Sequence, residues 1–160
     1  MFHAATNYLG TMKTTYDAHD CIDVCNNLLR GELSAIEAYA RVIDSYSEEP
    51  QIHALVNIRH EHIESANRLR ENIRWMEGVP DGDSGFWGVF SQAVQETANF
   101  FGEKSALNSL QQGEEFGRGQ YESALDNDAV MPGCKDLIRI HLLPAIRRHI
   151  KTLESIQESI

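Results

Sequence analysis

The chain has 160 residues, 42% apolar and 24% charged, a balance that builds one domain with a real core and excludes a disordered composition. Its formal net charge of −10 excludes the basic surface that nucleic-acid binding requires, and its one small basic cluster, Arg147, Arg148 and Lys151, reads as a solvated helix face. No apolar run approaches the roughly 18–20 residues of a membrane span, and no signal-peptide core is present, so neither a membrane nor export is expected.

Residues 1–18 mix Gly, Thr and Asn with few periodic positions and are expected to form a flexible N-terminal arm. From about His19 to Tyr46 the pattern is helical. Ile22, Leu29, Ile36 and Ile43 repeat every seven residues, and Cys25, Glu32, Tyr39 and Tyr46 form a second seam. Pro50 interrupts this helix and suits the first turn of the next, which runs to about Glu77. Its seams are Ile52, Arg59, Ala66, Ile73 and Leu55, His62, Leu69, Met76, so Arg59 and His62 are polar intruders on an apolar face. Gly78 and Pro80 read as its stop.

A Gly/Asp turn leads into Phe86, Trp87, Phe90, Phe100 and Phe101, an aromatic crossover segment expected to cover the core or a dimer interface. The third long helix spans about Glu103 to Asp126, with seams Leu107, Glu114, Tyr121 and Leu110, Gly117, Ala124. Gly113, Gly117 and Gly119 lower its intrinsic propensity, so tertiary packing must hold it, with Gly117 placed for a close helix approach. The fourth runs from about Cys134 to Glu158, with Ile138, Leu142, Ala145, His149, Leu153 and Ile156 inward. Pro144 removes a backbone donor and predicts a kink before His149.

Four long helices without a convincing strand predict an all-α fold: a ferritin-like antiparallel four-helix bundle over residues 19–160, with a long crossover between helices two and three. The halves echo one another. Glu32 and Glu114 each precede a tyrosine by seven residues, Tyr39 and Tyr121, and a histidine follows on the next helix, His62 after 30 residues and His149 after 35. Acid and imidazole then point into one core, where buried carboxylates need a partner or a metal.

The stretch from Leu28 to Tyr39, with Gly31-Glu32 and Tyr39, resembles the first-helix motif of bacterioferritins. Met76-Glu77-Gly78-Val79-Pro80, Gly113-Glu114 to Tyr121-Glu122-Ser123-Ala124-Leu125, and Arg148-His149-Ile150 with Leu153-Glu154 resemble later parts of that fold. Overall the chain is similar to a bacterial family of small ferritin-like proteins without established function, more distantly to bacterioferritin and rubrerythrin. The resemblance covers about residues 20 to 158 and implies metal chemistry linked to oxidative stress. It departs from the di-iron pattern, which needs Glu-x-x-His on two helices. Ile146 stands three residues before His149, and Arg59 three before His62. Matching helix two through Met76-Glu77-Gly78 instead puts His62 on a carboxylate position and Ser65 on a histidine position. The heptad register keeps the two halves alike.

Glu32, His62, Glu114 and His149 therefore form the expected metal set, suited to at most one Fe, Mn or Zn ion. The competing expectation is a metal-free core in which the Arg59 guanidinium replaces the ion and Tyr39 and Tyr121 donate to the same carboxylates, leaving a stress or scaffold protein that acts by dimerisation or partner binding. Glu61 and Glu64 are expected to face solvent or the bundle margin, the cluster His60, Glu61, His62 and Glu64 is open to an adventitious surface metal or to a plain i,i+4 pair of His60 with Glu64, and His141 is expected at a boundary. Cys21 and Cys25 lie one helical turn apart, a spacing open to a soft metal but more typical of small buried hydrophobes. With Cys134 they make an odd count without a disulfide framework, which points to a reducing, cytoplasmic setting. A homodimer is the expected assembly.

Overall fold

The computed structural model describes residues 2–46, 50–85 and 102–160, with side chains from residue 18 onward. Among these residues the chain is all-helical, with no strand. Helix α1 spans Phe2–Ser45, α2 Ile52–Trp75 and α3 Glu103–Asp126. The last rod is built of α4 (Pro132–Leu137), a π-helical turn (Ile138–Leu142) and α5 (Leu143–Ser159). The backbone is already helical from Phe2, ahead of the first buried seam residue, Cys21. The aromatic segment from Phe86 to Phe101, and with it the expected crossover, lies outside the described residues. No helix among the described residues is long and apolar enough to cross a membrane.

Helices α2, α3 and α5 bury most of the seam positions that their periodicity marks out, whereas on α1 only Leu29 of the seam Ile22, Leu29, Ile36, Ile43 is buried and Leu28, Ala38 and Val42 join Cys25, Glu32 and Tyr39 on the inner face. The buried faces meet in two core clusters. One gathers Cys21, Cys25, Leu29, Leu69, Ile73, Cys134, Ile138 and Leu142. The other gathers Tyr39, Val42, Leu55, Ile58, Leu107, Leu110 and Leu153. Glu32, His62, Glu114 and His149 are buried beside these clusters, each at most 6% exposed. Against α1, α2 places Arg59 beside Ile36, His62 beside Glu32 and Asn72 beside Cys25. Against α5, α3 places Gln111 beside Gln157 and Glu114 beside His149.

The end of α2 differs from expectation in its detail. The residue that takes the left-handed conformation is Glu77 (φ 63°), and Gly78 N–H then reaches back to the Ile73 carbonyl at 2.9 Å, the closing bond of a Schellman motif. Gly78 is glycine for another reason. A Cβ there would stand 2.9 Å from Ile22 Cγ2, so its small size lets the turn pack on α1. The turn is then tied along α1 by the Arg30–Asp81 ion pair and by Asn26, whose Oδ1 accepts from Asp81 N–H at 2.9 Å.

Pro144 takes effect through winding. It cannot donate to the carbonyl four residues back, and its ring would crowd that carbonyl in a regular helix. The π turn immediately before it absorbs the misfit, with Leu143 N–H bonded five residues back to Ile138. A regular α5 then carries His149 into the core.

Candidate functional site

Two carboxylates, two imidazoles and two phenols close a hydrogen-bonded network across α1, α2, α3 and α5. His62 sits at its centre. Nδ1 donates to Glu32 Oε2 at 2.6 Å and Nε2 to Glu114 Oε1 at 2.9 Å. Tyr39 Oη donates to Glu114 Oε1 at 2.5 Å, and Tyr121 Oη donates to Glu32. His149 faces Glu114 Oε2 through Nδ1 at 3.4 Å, and its ring centre lies 4.6 Å from that of His62.

The charges follow from this geometry. Burial disfavours an imidazolium, but the charges of Glu114 and Glu32 and their hydrogen bonds outweigh it and push His62 up to about 10. Burial likewise works against a charged Glu114, and the His62 charge with bonds from His149 and His62 overrides it, holding the carboxyl at about 2. Burial first, then the neighbouring carboxylates, raise Tyr39 and Tyr121 well above the phenol range, so both stay donors. His62 is thus a buried cation shared by two carboxylates.

Arg59 does not take that place. It lies one turn from His62, but Nε donates to the Ile36 backbone carbonyl at 3.2 Å and the side chain is half-buried. A long side chain one turn up the helix meets the margin of α1 before it can reach the buried acids, and the shorter imidazole fills the space between them.

Glu61 is the residue that periodicity missed. Its Oε2 lies 2.8 Å from His149 Nε2 and 3.3 Å from Arg148 Nη2. As the neighbour of His62 it points about 100° around α2, away from α1 and onto α5. Adjacent Arg148 and His149 on α5 were the available signal: a cation and an imidazole together call for an acid on the facing helix. His60 and Glu64 form an exposed pair at 3.5 Å, and His141 is exposed.

One ligand atom each from His62, Glu114 and His149 can be chosen within 4.8 Å of one another, and all three residues are buried. Glu32 stands outside this trio, on the far nitrogen of His62, as Glu61 stands on the far nitrogen of His149. Each imidazole therefore turns one nitrogen to the shared Glu114 and the other to an outer carboxylate. Outer carboxylates of this kind fix the tautomer and the ring orientation of metal-binding histidines. A cavity of about 300 Å³ between α1 and α3 reaches Glu32, Tyr39, His62, Glu114 and Tyr121, and small residues such as Gly31, Ala35 and Gly113 open it.

A family model described as a domain of unknown function, DUF2383, matches residues 20–127. The chain belongs to the DUF2383 family. The stretch matched to DUF2383 carries Glu32, Tyr39, Glu61, His62, Glu114 and Tyr121, whereas His149 and Cys134 lie beyond it. Comparison with curated proteins and with solved structures finds no match.

Among the described residues, three cysteines form a second cluster of potential ligands. The Cys21, Cys25 and Cys134 sulfurs lie within 4.8 Å of one another, all buried and free of disulfides. Hydrogen bonding from the Cys134 and Cys25 thiols holds Cys21 below the ordinary thiol range. The contacts with Cys134 and Cys21, reinforced by burial, push Cys25 above it.

Proposed function

We propose that this DUF2383 chain is a ferritin-like bundle that holds a single first-row divalent metal ion between His62, Glu114 and His149. The observation that carries the reading is the convergence of two imidazoles on one buried carboxylate, each imidazole backed by a second acid. Two histidines and one carboxylate with open positions suit Fe(II), and the same donors accept Mn(II) or Zn(II). When bound, a redox-active ion would supply one-electron chemistry toward oxygen or peroxide, the basis for an oxidative-stress role. The chain's own residues do the rest. Glu32 and Glu61 orient the rings, Tyr39 holds one oxygen of Glu114, and the apolar wall of the cavity limits water. His62 must give up its Nε2 proton for metal to enter.

The ferritin-like antiparallel arrangement belongs to the same proposal. Contacts between α1 and α2 run in opposite chain order, Cys25 with Asn72 and Ile36 with Arg59, as do those of α1 with α3, Glu32 with Tyr121 and Tyr39 with Glu114. Helices α2 and α3 then run in one direction, the relation that a ferritin-like bundle requires of its second and third helices. A cytoplasmic setting, supported by three free thiols, and a homodimer complete the reading.

Anaerobic Fe(II) and Mn(II) titration of metal-free protein, with elemental analysis of the native protein, tests it. About one ion per chain, lost in Glu114→Ala, is the expected result. Uptake absent, or unchanged in that variant, overturns it.

The His62 position favours one alternative. An imidazolium between two carboxylates, with both tyrosines donating, satisfies the core without any ion. In that case the network fixes helix register and the protein acts through a partner surface. Absence of metal uptake in a protein that needs His62 for stability selects this reading.

A further inference from the structure

Away from the bundle centre, the three cysteines form a donor set of their own. Cys21 and Cys25 come from successive turns of α1, and the first turn of α4 delivers Cys134, whose sulfur lies 2.8 Å from that of Cys25. The three are at most 1% exposed and sit in the apolar cluster of Leu29, Leu69, Ile73, Ile138 and Leu142. We propose that Cys21, Cys25 and Cys134 form a second, all-sulfur site that binds one soft metal ion, with three-coordinate Cu(I) as the fitting ligand.

Several observations converge on it. The trio contains no carboxylate or imidazole, so the donors select a thiophilic ion over Fe(II) or Mn(II). Structural Zn(II) sites almost always take four ligands, one more than the cluster provides. Two N–H groups already point at the sulfurs. Met131 backbone N–H donates to Cys21 Sγ at 3.4 Å, and Asn72 Nδ2 donates to Cys25 Sγ at 3.6 Å. Sulfur accepts such bonds best as thiolate, the form that binds metal. The half-buried Met131, the N-cap of α4, packs on the same cluster. Binding forms Cu–S bonds, and each thiol that ligates as thiolate releases its proton to solvent, with no change in oxidation state.

Cys25 and Glu32 are seven residues apart on α1, roughly 10 Å along the helix axis, so the two sites should fill independently. The proposal therefore does not depend on metal binding at His62, Glu114 and His149. Anaerobic Cu(I) titration against a chromophoric Cu(I) chelator tests it. The expected result is about one Cu(I) per chain with a thiolate-to-copper ultraviolet band, unchanged in Glu114→Ala, and an affinity loss of at least about 100-fold in Cys134→Ser and in Cys21→Ser. Unchanged affinity in either cysteine variant overturns the three-sulfur site, as does Cu(I) lost in Glu114→Ala. X-ray absorption of the unmutated protein guards against misfolded variants. A shell of three sulfurs supports the assignment, and a shell dominated by nitrogen or oxygen overturns it.

Discussion

Tyr39 on α1 donates to Glu114 on α3 across 2.5 Å, although its seven-residue partner in the sequence is Glu32. Tyr121 makes the reciprocal bond to Glu32. The repeated acid-to-tyrosine spacing is thus a device for crossing between helices: two turns separate each acid from its own tyrosine, and each phenol satisfies the acid of the other half. A hydrogen bond to a buried charged group contributes about 1.5–3 kcal/mol, so Tyr39→Phe and Tyr121→Phe should each lower stability by about that amount in urea unfolding. Because both carboxylates share His62, the double variant should lose less or more than the sum, and strict additivity would show that the two halves are uncoupled.

Stability should depend on pH through His62 and Glu114. The imidazole rises from 6.5 to about 10 on folding, so its contribution is complete below pH 6.5 and disappears as pH climbs through about 10. Glu114 falls from 4.5 to about 2, so its contribution is complete above pH 4.5 and disappears as pH drops through about 2. Both are in full force between pH 4.5 and 6.5. His62→Gln strands two buried carboxylates, should cost roughly 3–5 kcal/mol near neutrality and should erase the alkaline decline attributable to His62. An alkaline limb that survives in this variant would assign the titration to another group.

Arg59→Ala separates the role of Arg59 from that of His62 one turn along α2. The guanidinium bonds a backbone carbonyl from a half-buried position, and that carbonyl already belongs to a helix. Its removal should cost about 0.5–1.5 kcal/mol by chemical denaturation. A loss of about 3–5 kcal/mol would instead place its charge in the core.

The periodicity of each helix made most of its buried face legible, although on α1 Ile22, Ile36 and Ile43 are only half-buried, since a seven-residue repeat drifts around a helix of about 3.6 residues per turn. It brought out Glu32, His62, Glu114 and His149, four charged or polar residues in apolar seams. What it could not carry was rotation between helices. Glu61 lies one residue from His62 and off the seam, and only the facing α5 turns it into a partner of His149. Cys134 lies in the first turn of a short helix, and only the packing of that turn on α1, with Met131 N–H bonded to Cys21 Sγ, brings it to the other two cysteines. Arg59 shared a seam with Ala66 and Ile73 yet reaches only the margin, since its length lets it leave the face on which its Cα sits.

The outer and inner carboxylates should differ in kind when metal is titrated. Glu114→Ala removes a ligand and should abolish Fe(II) or Mn(II) uptake. Glu32→Ala and Glu61→Gln remove only ring-orienting partners and should weaken it by about 10–100-fold. Equal, complete loss in Glu32→Ala would make Glu32 a ligand, the four-donor set that the sequence pattern favours.

Glycines in the helices and their turns divide by what surrounds them. At Gly31 a Cβ meets nothing within 4 Å, because the position faces the cavity between α1 and α3. Gly31→Ala should stabilise α1 by about 0.5–1 kcal/mol through helix propensity alone. Gly31→Phe should project a ring into the cavity and slow metal entry without lowering final capacity, since no ligand is altered. At Gly78 a Cβ falls 2.9 Å from Ile22 Cγ2 and 3.0 Å from Ile73 Cγ2, both packed side chains, so Gly78→Ala should destabilise by about 1–3 kcal/mol. Thermal unfolding of the two alanine variants side by side checks the contrast. If both were stabilised, the turn after α2 would not be packed on α1. If uptake kinetics in Gly31→Phe matched the unmutated protein, metal would enter by another route.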